Sequence, residues 1–202
     1  MLKKIIKNES GQSLMEMLIA IFILILALTA TIVLIVTSIN AARDSMNKLV
    51  ATNLSREGIE IVRNIRDSNW IHPDGEDWDK DLDTDNTAIP EIDGTSNISL
   101  DFTPADFSNP LLVGIKLSGN DYVQGASATG NNTLFTRLIY LNPICHDYSN
   151  PPAVDETIID TGTCAGNYEK VGVRVISEVR WHATNSNRKV ILEDRLYNWQ
   201  NL

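Results

Sequence analysis

Residues 17–36, MLIAIFILILALTATIVLIV, form a strongly apolar run, and no charged residue occurs from Met17 to Ala42. Twenty residues at a helical rise of about 1.5 Å span about 30 Å, the thickness of a bilayer's hydrocarbon core. A buried core helix is the competing reading. Such helices are usually shorter and keep a polar stripe, which this run lacks. The segment therefore reads as a membrane span, and every other expectation has to accommodate it. The overall mean hydropathy of −0.10 hides it, because it averages a greasy span with a polar remainder.

The leader MLKKIIKNESG before the run carries Lys3, Lys4 and Lys7 against Glu9. Basic flanks stay on the cytoplasmic side, so the N-terminus is expected inside and residues after Arg43 outside. No second span follows, which makes this a single-pass arrangement. A secretory signal peptide would have an apolar region of about 7–15 residues ending in a small-x-small site. This run is longer, and its best internal candidate, Leu28-Thr29-Ala30, has a large residue where a small one is needed.

The junction before the run reads GQSLMEMLIAI: Gly11, Gln12, Ser13, Leu14, Met15 and Glu16, then apolar residues. A carboxylate at the edge of a membrane helix is costly, by up to about 2.5–3.5 kcal/mol toward the bilayer centre. Locally, Ser13 and Glu16 fit a capping box for a helix starting near Ser13. The whole pattern resembles the class III signal of the type IV prepilins and pseudopilins. That resemblance implies that a prepilin peptidase cuts between Gly11 and Gln12 and methylates the new N-terminal amine. It also implies that Glu16 pairs with the amine of a neighbouring subunit during filament assembly. Gln12 departs from the Phe or Met most common in the family.

Beyond Ala42 the chain becomes amphipathic. Met46, Leu49/Val50, Asn53/Leu54, Ile61/Val62 and Ile65 recur at three- and four-residue spacing, with charges between them. The expectation is one helix from about Leu14 to Arg66, ended by Asp67-Ser68-Asn69, with Gly58 a mild weakening of about 1 kcal/mol relative to Ala. Its second half needs a packing partner along one stripe. The run from Asn53 to Trp70 and the ending RLYNW are similar to PilV-type minor pilins.

Residues 71–97 read as an acidic connecting loop, with nine acidic residues and one lysine between Ile71 and Gly94. Asp81, Asp83 and Asp85 have the alternate spacing that opens an EF-hand calcium loop. Asn86 stands where Gly is needed and Ile92 where Glu is needed, so a solvated loop is preferred and no metal is expected. From residue 98 the signals are of strands: Ile98, Leu100 and Phe102 alternate, residues 111–117 are apolar, and Gly119-Asn120 marks a turn. Residues 125–132 read as a loop and 133–141 as a strand. Val171, Val173, Val175, Val179 and Trp181 alternate with Gly172, Arg174, Ile176, Glu178 and Arg180, and 188–199 returns as the second arm of a long hairpin.

Cys145 and Cys164 are placed in a loop over 142–167. Two readings stand, a disulfide or two free thiols, and the external topology favours the disulfide. Closing about 20 residues would contribute about 3 kcal/mol in the chain-entropy model. No catalytic constellation emerges. Gly125-Ala126-Ser127-Ala128-Thr129 lacks the second Gly of a nucleophile elbow, and His72, His146 and His182 are scattered. The chain is therefore not expected to be an enzyme and no cofactor is expected.

The segments are thus a basic leader (1–11), a membrane and assembly half-helix (12–42), an amphipathic half-helix (43–70), the acidic loop (71–97) and a head (98–202). Helix followed by strands gives an α+β fold, a long helix packed on an antiparallel sheet, which is also what the pilin resemblance implies. Setting Glu16 aside, the part after the leader holds 14 basic and 24 acidic residues. That balance argues against nucleic-acid binding, although the C-terminal hairpin gathers Arg174, Arg180, Arg188, Lys189 and Arg195. The resemblance implies a structural subunit, a minor pilin or pseudopilin of a pilus or related secretion filament. Its partners would be the prepilin peptidase, other pilin subunits and the membrane, and it would move from the cytoplasmic membrane into a surface filament. The alternative is a membrane-anchored external binding or adhesive domain that never enters a filament.

Overall fold

The computed structural model describes residues 10–72, 77–82, 86–92, 98–147, 156–158, 163–183 and 186–198. A single helix, α1 (Ser10–Ile71), contributes to two units of the chain, Met1–Asn47 and Lys48–Leu202.

In the first unit every Leu, Ile, Met, Phe and Val from Leu14 to Ile39 is exposed. The helix is long and apolar enough to cross a membrane. Its hydroxyls suit that environment. Thr29 Oγ1 donates to the Leu26 carbonyl at 2.9 Å, Thr37 Oγ1 to Leu34 at 2.9 Å, and Thr31 Oγ1 to Ala27. Each of these three hydroxyls is satisfied one turn back along the helix, so none of the three requires water.

In the second unit the rest of α1 packs on an antiparallel sheet. The strands are β1 (Asn86–Ile92), β2 (Ile98–Asp101), β3 (Gly114–Ser118), β4 (Asp121–Val123), β5 (Asn131–Asp147), β6 (Glu156–Ile158), β7 (Tyr168–Ala183) and β8 (Ser186–Tyr197). β5 is the spine. One edge pairs with β7 along nearly its whole length, and β7 pairs in turn with β8. The other edge is shared by β3 near its start, β1 in its middle and β6 near its end. β4 extends β3, and β2 extends β1. The architecture is the expected α+β layout.

The inner face carries the main core. Ile59 and Val62 of α1 meet Ile139, Leu141, Val173, Val175 and Leu196. A neighbouring cluster joins Ala51 and Leu54 to Ile115, Phe135, Val179 and Trp181. The alternation read in β7 is the cause, since Val171, Val173, Val175, Val179 and Trp181 are all buried. The outer face holds a smaller core of Ile89, Val113 and Leu138, with Phe107, Leu112 and Tyr140 at its margin. A short helix, α2 (Pro110–Val113), supplies part of that cover, capped by Asn109, whose side chain accepts from the Leu111 N–H at 3.1 Å.

Several boundaries differ from the sequence expectation. α1 runs five residues past Arg66, to Ile71. Asn69, expected to end it, is buried and donates to the carbonyls of Trp78 (3.2 Å) and Lys80 (2.6 Å), so a tertiary contact holds the last turn. Met46 and Leu49 are exposed, and the buried stripe passes through Ala51, Leu54, Ser55, Gly58, Ile59 and Val62. Small residues let the helix approach the sheet closely, and a scan for large apolar residues overlooks them. The stretch 71–97, expected as a loop, contains β1, where buried Ala88, Ile89 and Pro90 sit among acidic neighbours that masked them. The apolar run 111–117 is split between α2 and β3. The Gly119-Asn120 turn is as expected, with Gly119 at φ 63° joining Ser118 to Asp121.

The expected loop over 142–167 begins later, because β5 continues through Pro143 to Asp147. Proline reads as a strand breaker, but here the register merely shifts between Ile144 and Cys145 opposite β7.

Candidate functional site

The residues singled out in the sequence fall into separate places. Gly11 and Gln12 lie within the helical backbone of α1, and Glu16 is exposed on its next turn. Because the helix already runs at Ser10, Ser13 is interior to it and is not an N-cap, so the capping-box reading of Ser13 and Glu16 is corrected. The glycine and the residues after it continue the helix rather than start it. The carboxylate of Glu16 therefore heads an uncharged stretch whose apolar side chains are exposed on all sides.

Cys145 and Cys164 are joined in a disulfide with their Cα atoms 5.7 Å apart, which decides between the two open readings. Cys145 is fully buried in β5, not in a loop, and Cys164 lies in the segment leading to β7. The bond ties the β5–β7 connection back to the spine. Asp83 and Asp85 lie outside the described residues. Asp81 adopts a left-handed backbone at φ 62° beside the buried Leu82. Among the described residues no group of three or more His, Cys, Asp or Glu could hold a metal.

The basic residues of the C-terminal hairpin are not a free positive strip. Arg174 Nε lies 3.0 Å from Glu193 on the neighbouring strand, and Arg195 Nε lies 3.9 Å from the same carboxylate. Arg180 Nε lies 2.7 Å from Glu178, and Lys189 Nζ lies 3.5 Å from it. His182 Nδ1 is 2.9 Å from Asn187 Oδ1. Ser127 of the small-residue loop donates to Glu91 at 2.6 Å, which anchors that loop to β1.

Sequence reading missed one network. Arg137 in the middle of β5 is 2% exposed. Its Nη1 donates to the Leu54 carbonyl of α1 at 2.9 Å, and its Nε donates to Gln124 Oε1 at 2.9 Å. Gln124 Nε2 donates to the carbonyls of Val113 and Arg137. Glu57 stands 3.5 Å from the guanidinium. Burial pushes the Arg137 pKa down, and the Glu57 charge opposes that. The available signal was an arginine inside TLFTRLIYL, at a position whose parity faces the core. On the helix surface Arg63 bridges Glu60 and Asp194 of β8, each at 2.5 Å, and the Asp194 bond is the main cause of its raised pKa.

No family model, no curated protein and no solved structure matches the chain.

Proposed function

We propose that the chain is a filament subunit of the type IV pilin kind, a minor pilin or pseudopilin. The observation that carries this reading is the make-up of α1. It is one helix with an uncharged, apolar-surfaced stretch headed by Glu16, and its later turns pack on an antiparallel sheet. A helix exposing large apolar side chains all round has only lipid or other such helices as stable surroundings. The motif at Gly11, Gln12 and Glu16 supplies the rest. In this reading the chain first lies in the cytoplasmic membrane with its leader inside. Prepilin peptidase then cuts after Gly11 and methylates Gln12. The apolar half-helix afterwards exchanges lipid for neighbouring subunits, and Glu16 offsets the charge of a neighbour's N-terminal amine. The Cys145–Cys164 disulfide fits a head outside the cytoplasm.

Mass spectrometry of the mature N-terminus tests the proposal. The expected species begins at methylated Gln12. A start near Thr31 means an ordinary signal peptide, and an intact Met1 leaves only an anchor; either defeats the filament reading. The second reading, an anchored binding domain outside any filament, is favoured by a concavity on the outer sheet face lined by Phe107, Thr136, Arg180 and Lys189.

A further inference from the structure

We infer that the outer face of β5, β7 and β8 carries a binding site for a small organic anion, a carboxylate head on a ring-sized body. Antiparallel register sets Thr136, Arg180 and Lys189 side by side across the three strands. One step along, Glu178 of β7 has a side chain only 8% exposed, and it holds both cations, with Arg180 Nε at 2.7 Å and Lys189 Nζ at 3.5 Å. The Arg180 guanidinium also stacks on Phe107, 3.8 Å from the ring centroid. Phe107 is itself set by a tight turn in which the Ser108 N–H donates to Asp106 Oδ1 at 2.8 Å. Phe107, Thr136, Arg180 and Lys189 wall a concavity of about 390 Å³, to which Leu134, His182 and Arg188 add further lining, and Glu178 lies outside that lining.

Three features point to an anion. First, no carboxylate lines the concavity among the described residues, while the chain as a whole has a formal net charge of −9. Second, Glu178 is one negative charge beneath two bound cations, so the pair retains positive charge toward the opening. Third, Arg180 is held in place through its Nε and its ring face. Among the described residues no hydrogen bond engages its two terminal nitrogens. A guanidinium fixed in this way presents coplanar donors that match the two oxygens of a carboxylate.

The size and field select a small ligand. The volume lies at the low end for small-molecule sites. The acidic chain repels an extended polyanion, whereas a single charge feels mainly the cations within a Debye length of about 8 Å. Phe107 and Leu134 supply apolar surface for the body of the ligand. Binding here needs only the head, whether or not the chain enters a filament.

The test is calorimetric titration of the full chain in detergent with galacturonate and benzoate, and with galactose and inorganic phosphate for comparison. Saturable one-to-one binding of at least one ring carboxylate, without binding of galactose, is expected. Arg180→Gln should weaken it about tenfold or more, the loss of a charge-assisted pair, and Lys189→Gln should weaken it measurably. Thermal unfolding of both variants checks that the head is intact, and Lys189→Gln decides if Arg180→Gln does not fold. The inference is overturned if neither carboxylate binds, if galactose binds equally, if phosphate binds more tightly than both carboxylates, or if folded variants bind like the unaltered chain.

Discussion

Gly58 of α1 lies directly against Ser177 of β7: a Cβ built on Gly58 would fall 2.6 Å from the Ser177 hydroxyl oxygen. One turn earlier, Ser55 Oγ donates to the Ser177 carbonyl at 2.7 Å, and both serines are fully buried. The helix is thus seated on the sheet at a point where Gly58 has no room for another atom.

Gly58→Ala should therefore destabilise the protein despite improving helix propensity. The propensity gain is about 1 kcal/mol, and overpacking a rigid core costs about 1–3 kcal/mol. Ser177→Ala removes the clashing oxygen, which leaves the Ser177 Cβ at 3.4 Å and the end of the Ile139 side chain at 3.3 Å, a contact relieved by a shift of a few tenths of an ångström. The double variant should be at least as stable as the unaltered chain. Denaturant unfolding of the four species measures the coupling, and additive effects would show that the close approach is not what limits the site.

Arg137→Ala should cost about 3 kcal/mol or more, because it empties a buried site, leaves the buried Gln124 oxygen without its donor and removes the extra donor to the Leu54 carbonyl. Arg137→Lys should recover little of this, since one ammonium cannot reproduce two donors held in a planar fork. Unfolding midpoints give the comparison. A lysine variant close to the arginine protein would mean that charge, not geometry, matters here.

Tyr140 on the outer face has its pKa raised above the ordinary 10.0, first by burial and then by the charge of Glu178, with Arg180 opposing. The folded protein thus holds the phenolic proton more tightly than the unfolded chain does. That stabilisation is complete below pH 10 and is lost as pH rises through the folded value. As pH rises above about 10 the unaltered protein should lose stability more steeply than Tyr140→Phe. Parallel curves for the two proteins would remove the tyrosine from the account.

Glu16→Ala should leave the chain in the membrane with its head folded but reduce its incorporation into filaments. A drop of at least about tenfold corresponds to losing 1.4 kcal/mol of charge pairing. Sheared filament fractions compared with membrane fractions provide the readout, and undiminished incorporation would exclude the pairing role.

Local pattern carried much of the fold. The apolar run, the Gly119-Asn120 turn and the two arms β7 and β8 were all legible, because each rests on neighbours within a few residues. The proposed processing residues Gly11 and Gln12 and the proposed assembly residue Glu16 are legible for the same reason, belonging to one short motif. β1 was not legible, because the pairing that defines it comes from β5, some fifty residues later in the chain, and its own neighbours are acidic. Nor was the wall of the outer concavity, since Phe107 reads as one aromatic residue in a loop until Arg180 is placed over it.

The sequence by itself determined that this chain has a lipid-compatible helix ahead of a polar head, and that the head is mainly strands. Hydrophobic length and periodicity suffice for that. The tertiary structure alone decided which face of α1 is buried, that Arg137 reaches the Leu54 carbonyl, and that Cys145 and Cys164 join. It also decided that Glu178 holds Arg180 and Lys189 together. The physical reason is sheet register. The bond from Ser55 to Ser177 spans 122 residues, and only the pairing of β5 with β7 fixes what stands beneath the helix at that point.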